Sequence, residues 1–167
     1  MTKPVLPDAE ELLAALTAQM RPHVTAQTGL VGIVTGGAWL AERLHRELKL
    51  EVPHGSLDVS FYRDDFQHKG LKHQVTPSAI PFEVEGRDLI LVDDVLYTGR
   101  TIRAAMNELF DYGRPASIRL AALVDRGGRE LPIAAQFVGT MLALPAQYSI
   151  ELKRDAQGRL SLALQQP

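Results

Sequence analysis

The segment LILVDDVLYTGRT, residues 89–101, constrains this chain more than any other. A short apolar run, residues 89–92, stops at two adjacent carboxylates, Asp93 and Asp94. A continuous apolar run of this length fits a strand buried on both faces, as in a parallel sheet. Small and hydroxyl residues follow at Thr98, Gly99 and Thr101. The spacing of Ile102, Ala105, Met106, Leu109 and Phe110 then predicts a helix that ends before Gly113. Strand, loop and helix in that order put the loop where open α/β sheets bind ligands, outside the carboxyl ends of the strands. Loop amides and a helix N-terminus form a cradle for an anion. Ionised carboxylates only accept hydrogen bonds, so the paired hydroxyls of a ribose suit them. They also attract Mg²⁺ through water, since that ion keeps several waters and shares substrate phosphates. Taken singly, either Asp could simply end a strand and cap a helix; the whole string favours a sugar-phosphate site. Two other phosphate motifs are absent: there is no G-x-x-x-x-G-K-[ST], and Gly32, Gly36 and Gly37 do not make G-x-G-x-x-G.

The flanking sequence repeats the same grammar. Asp8 and Glu11 read as a capping box, and Leu12, Leu13, Leu16 and Met20 share one helical face that Pro22 closes. Residues 30–34 predict a strand, Thr35-Gly36-Gly37 a turn, and residues 38–48 a helix. The turn is a second candidate anion cradle. Residues 57–62 alternate apolar and polar and predict another strand. Residues 63–78 are polar and lack apolar periodicity; a loop of this length in a compact domain is a lid or is disordered. Residues 117–124 predict a buried strand ending at Asp125. Residues 148–152 and 160–164 predict a hairpin turning through 155–158. Repeated strand–helix alternation implies an α/β domain with a mainly parallel central sheet flanked by helices.

With 167 residues, the expectation is a single domain spanning 1–167. No apolar stretch is long enough to cross a membrane and no leader pattern opens the chain, so no membrane partner is expected. The absence of cysteine excludes disulfides, thiol nucleophiles and cysteine-ligated metal, and fits a cytoplasmic protein. A formal net charge of −2 is not the footprint of an obligate nucleic-acid binder. The five histidines show no metal-ligand spacing. Trp39 reads most simply as a core or subunit contact.

Residues 89–101 resemble the phosphoribosyl-pyrophosphate (PRPP) signature of type I phosphoribosyltransferases. LDVSFYRDD (57–65), DYGRPASI (111–118) and LVDRGGRELPI (123–133) resemble the PyrR family, pyrimidine-operon attenuation regulators of which many have uracil phosphoribosyltransferase activity. Most of residues 6–152 take part in the match. The resemblance implies a type I phosphoribosyltransferase fold with a small hood. It implies catalytic roles for Asp93, Asp94 and Arg63, the last on a loop that closes over PRPP. It places PRPP or nucleotide at Thr35, Gly36 and Gly37 and along Asp93, Asp94, Val95, Leu96, Tyr97, Thr98, Gly99, Arg100 and Thr101. Uracil would lie beside Val124, Asp125 and Arg126, and Mg²⁺ would be held at Asp93 and Asp94 through water and PRPP. Tyr97 stands where purine-specific relatives carry an Asp, so no general base is evident.

Two departures from the family pattern matter. The turn at Thr35–Gly37 lacks the basic residue that relatives often carry, which removes a charge for the leaving pyrophosphate; Arg63, Lys69 and Lys72 of the polar loop are the candidates to supply it. The segment 133–147 has no Lys or Arg, and only five of the chain's 18 basic residues are Lys. The implied function is a UMP- or UTP-responsive attenuation regulator with uracil phosphoribosyltransferase activity, acting as a homo-oligomer. Candidates for contact with pyr-leader RNA are Arg114, Arg119 and Arg129, with Arg154 and Arg159 beside them; no DNA is expected. The alternative is a nucleotide-sensing regulator without significant catalysis, working through RNA or a partner protein.

Overall fold

A computed structural model describes residues 2–60 and 77–166. Helix α1 (Ala9–Met20) starts as its sequence directs. The Asp8 side chain accepts the N–H groups of Glu10 at 2.8 Å and Glu11 at 3.4 Å. A 3₁₀ turn (Arg21–His23) containing Pro22 ends it. Strand β1 (Gly29–Ile33) leads into α2 (Gly36–Leu48), and β2 (Gly55–Leu57) follows. Strand β3 (Asp88–Leu96), helix α3 (Arg100–Phe110) and strand β4 (Ser117–Asp125) form the second strand–helix–strand unit. Strand β5 (Phe137–Met141) completes the sheet, and β6 (Ser149–Arg154) pairs antiparallel with β7 (Leu160–Gln165).

Among the described residues the main sheet has the order β2-β1-β3-β4-β5, with every neighbouring pair parallel. Both faces are covered, which is why residues 89–92 are apolar without alternation. Ile90 and Val92 face a core built with Leu12, Leu16 and Met20 of α1 and Leu40 and Leu44 of α2. Leu89 and Leu91 face the other way, toward Ile102, Ala105 and Leu109 of α3. Helices α2 and α3 therefore lie on opposite faces. The crevice between their strands, β1 and β3, opens at the carboxyl end of the sheet, where α/β folds hold their ligands. The β6–β7 hairpin lies on the α1–α2 side, with Leu152 and Leu160 buried in that core. It is the small hood.

Three expectations are corrected. Strand β3 does not stop at Asp93; Val95 and Leu96 still pair with Val124 and Asp125. Strand β2 ends at Leu57, because the Asp58 carboxylate accepts the Ser60 N–H at 3.0 Å and turns the chain out of the ladder. Helix α2 begins at Gly36, so the glycines are its first turn and not a separate loop. Strand β5 had no sequence signal strong enough to predict it. The expected loop at 63–78, with Arg63, and the outer part of the strand at 57–62 lie outside the described residues, save for Pro77 and Ser78. Ala79 makes an isolated antiparallel bridge with Ser56.

His54, in the turn between α2 and β2, lies against His45 of α2. His45 and His54 have ring centroids 5.4 Å apart. Burial first, then the charge of His45, pulls His54 below its ordinary value of 6.5, and Glu42 opposes the shift. The folded chain thus binds fewer protons at this site than the unfolded chain just below pH 6.5. The site's contribution to stability is complete above that pH and is lost as pH falls through the lowered value. Urea unfolding between pH 7.5 and 5 should show stability declining with acid, and His54→Gln should flatten part of that decline.

Candidate active site

Three loops meet at the carboxyl end of the sheet. The first leaves β1 through a cis Val34–Thr35 peptide. The Val34 N–H donates to the Leu57 carbonyl at 2.9 Å, and Thr35 caps α2 without a side-chain bond. A Cβ on Gly36 would overlap the Asp94 carboxylate, and one on Gly37 would overlap the Val92 carbonyl. Glycine at both positions therefore lets the first turn of α2 lie directly against the acidic end of β3.

The second loop begins inside β3. The Asp93 carboxylate accepts the Asp94 N–H at 2.9 Å, and the Asp94 carboxylate accepts the Val95 N–H at 2.8 Å. Each carboxylate is thus held by the next amide. Asp93 is buried and Asp94 half-buried. Beyond the strand, Thr98 Oγ1 accepts the Arg100 N–H at 3.2 Å. Gly99, at φ +96°, caps α3 with no side-chain bond, and the first intrahelical bond runs from Arg103 N–H to the Gly99 carbonyl. Such a helix start leaves first-turn amides available to an anion.

The third loop follows β4. The Asp125 carboxylate accepts Gly127 N–H at 2.9 Å and pairs with Arg129 at 2.5 Å. Arg129 also donates to the carbonyls of Tyr97 at 2.6 Å and Ile133 at 2.7 Å. It braces the second loop against the third. Arg126 is buried, donates to the Tyr148 carbonyl at 2.9 Å, and lies with its guanidinium 4.1 Å from the centre of the Tyr97 ring. It joins the sheet to the segment that enters the hood.

Between these loops and the hood lies a cleft of about 430 Å³. Thr35, Gly36, Asp93, Asp94, Val95, Tyr97, Thr101 and Arg126 all line it. Gly37, Leu96, Thr98, Gly99, Arg100, Val124 and Asp125 do not; they build the loops from behind. Val124 and Leu96 are core side chains, and Arg100 pairs with Glu130 at 2.8 Å. Four further wall elements went unanticipated: Trp39, Val59, Ser60 and the inner strand of the hood, Ser149 to Leu152. Trp39 is not simply a core or subunit residue. Its position in the first turn of a helix that opens at the glycine turn was the available signal.

Asp93 and Asp94 are adjacent hard oxygen donors at the rim of a polar cleft. Among the described residues no group of three or more His, Cys, Asp or Glu could hold a metal alone. The donor set therefore fits a hydrated hard cation that shares its coordination with a bound phosphate.

A parallel sheet of this order, with a carboxylate pair and two helix starts around one crevice, suits a sugar-phosphate ligand. Residues 6–145 match the phosphoribosyl transferase domain family. The chain is 55% identical over 152 residues to a protein named bifunctional protein PyrR from Pseudomonas aeruginosa strain LESB58, covering 88% of this chain and 89% of the relative. It is 51% identical over 155 residues to the protein of the same name from Ralstonia nicotianae, covering 90% and 88%. The chain belongs to the PyrR family, phosphoribosyltransferases that combine a regulator with an enzyme. The fold is also that of a hypoxanthine-guanine phosphoribosyltransferase from Bacillus anthracis, with a TM-score of 0.67 at 20% identity over 85% of each chain. The enzyme from Leishmania tarentolae aligns with a TM-score of 0.62 at 19% identity over 86% of this chain and 84% of that one.

The contact between α2 and β3 yields a direct expectation. Gly36→Ala should displace the Asp94 carboxylate and lower phosphoribosyl-transfer kcat/KM by about a hundredfold. Steady-state kinetics beside a thermal unfolding curve would separate that loss from unfolding.

Proposed function

We propose that the chain transfers the ribosyl 5-phosphate of PRPP to N1 of uracil, giving UMP and pyrophosphate, and that the same cleft senses UMP or UTP when the protein regulates pyrimidine genes. The observation that carries this reading is the Asp93–Asp94 pair closed against Gly36 at the crevice between β1 and β3. In the reaction the C1′–oxygen bond to pyrophosphate breaks and the C1′–N1 bond forms, with the N1 proton passing to solvent. Backbone amides at the start of α3 anchor the 5-phosphate. Asp93 and Asp94 accept from the ribose hydroxyls, and their charge favours the positive charge developing at C1′. Mg²⁺ entering with PRPP would be held at these two residues through water and would supply charge neutralisation of the pyrophosphate. The Thr35–Gly36 backbone, which lines the cleft, faces the leaving group. Tyr97 and Arg126 form the side of the cleft where the base lies, with the loop at Val124 and Asp125 behind them.

For the regulatory role, the basic candidates do not form one cluster. Arg114 precedes β4 and Arg129 follows it, so the nine-residue strand separates them by more than ~20 Å. Arg119 donates to the His23 carbonyl at 3.0 Å, and Arg129 is committed to its loop. RNA contact therefore draws on Arg114 and on basic residues brought together by oligomerisation in the cytoplasm. The second reading, a nucleotide sensor with little catalysis, is favoured by the cleft's charge. Asp93, Asp94 and Glu151 line it against one cation, Arg126, among the described residues.

Incubation with PRPP, Mg²⁺ and uracil should form UMP. Asp93→Asn with Asp94→Asn should abolish this while the circular dichroism spectrum stays native; full turnover in the double variant would remove both residues from the mechanism. A gel-shift assay with pyr-leader RNA should give retardation that rises with UMP and weakens with salt. UMP formation without retardation would leave a salvage enzyme only, and UMP-dependent retardation without turnover would leave a sensor only.

A further inference from the structure

The leaving pyrophosphate poses a charge problem that the loop beside it does not solve. Val34, Thr35, Gly36 and Gly37 carry no cation, and the described cleft lining is acidic on balance. Arg126, its one cation, is tied to the hood entry and to the Tyr97 ring. A second guanidinium stands at the rim. Along β6, Ile150, Leu152 and Arg154 share one face. Ile150 and Leu152 line the cleft and pack on the core, so Arg154 is the next residue on the inward face. Its guanidinium lies 4.7 Å from the centre of the Trp39 ring. Trp39 lines the cleft and belongs to the first turn of α2, its N–H donating to the Thr35 carbonyl at 3.4 Å.

Resting on the transferase reading above, we propose that Arg154 is a pyrophosphate-side cation among the described residues, delivered from the hood and parked on Trp39. The parking is weak enough to release. The ion pair of Arg154 with Glu42 spans 3.6 Å, and both side chains are about half exposed. Glu42 also has Arg46 at 4.0 Å. An aromatic platform holds a guanidinium without neutralising it, and a polyphosphate oxygen is a stronger partner than a distant, solvated carboxylate. The long side chain turns from the ring toward the Thr35–Gly36 backbone and takes the place of a loop arginine.

Two ligands separate this role from simple packing. Pyrophosphate with Mg²⁺ carries the group that Arg154 would meet; UMP carries none of it. Calorimetric titration of the full chain with each ligand should show Arg154→Ala weakening pyrophosphate by about tenfold and UMP by less than twofold, with Arg154→Lys restoring most of the loss. Trp39 is the only tryptophan, so its emission reports the ring directly. Pyrophosphate should change that emission in the wild type and not in Arg154→Ala. Unchanged pyrophosphate affinity in Arg154→Ala, or equal losses for both ligands, overturns the proposal and leaves the transferase reading intact. A wild-type chain that binds neither ligand overturns both.

Discussion

The close approach of the first turn of α2 to the carboxyl end of β3 governs the site. Gly36 and Gly37 remove the two Cβ atoms that would hold these elements apart. The result is an amide-rich helix start on one wall and a carboxylate pair on the other, without an intervening side chain. A sugar phosphate needs both chemistries a few ångströms apart: donors for its phosphates and acceptors for its hydroxyls. The parallel pairing of β1 with β3 fixes that separation, because Val31 and Leu91 are in register one residue before Gly32 and Val92. A shift of register by one residue would exchange the faces on which Asp93 and Asp94 lie and take the Asp94 carboxylate away from Gly36.

The hood makes the crevice into a site. An open sheet edge alone leaves a bound ligand in water, where hydrogen bonds and charges are weak. Leu152 and Leu160 fasten the hairpin to the core, and Arg126 pins its entry by donating to the Tyr148 carbonyl. The inner strand of the hood then closes the cleft opposite Asp93 and Asp94. Because Arg126 also stacks on Tyr97, one side chain links the hood, the third loop and the ring on the second loop.

Much of this was written in residues 89–113. The double burial of residues 89–92, the helix that follows, and the location of the loop at a ligand edge all follow from local pattern, because each depends on periodicity within one element. The end of β3 was not legible. Paired aspartates ordinarily close a strand, but here each side chain takes the next amide and the ladder with β4 continues past them. Strand β5 was hidden by Gly139, which breaks the alternation; a Cβ there would overlap the Leu123 carbonyl, so the requirement comes from β4 and not from its own sequence. Trp39 and the hood walls were missed for a related reason. Their roles depend on which distant elements the topology brings together; for Trp39 the local sequence offered only its place in the first turn of α2.

The distribution of arginine explains why composition misleads about charge. Guanidinium groups outnumber lysines here, yet several are committed inside the fold. Arg129 braces two carbonyls and Asp125, Arg126 holds a hood carbonyl, Arg119 holds that of His23, and Arg87 donates to those of Glu83 and Gln27. A planar fork with five donors is suited to satisfying carbonyls that loops leave unpaired. A chain built this way has less mobile positive charge than its sequence suggests, at the cleft and on the outer surface alike. Anion binding in the cleft then rests first on fixed backbone dipoles, which carry no counter-ion and need no reorganisation when the ligand arrives. Cations that remain exposed and weakly paired, such as Arg154, are the ones available to answer a ligand whose charge changes during the reaction.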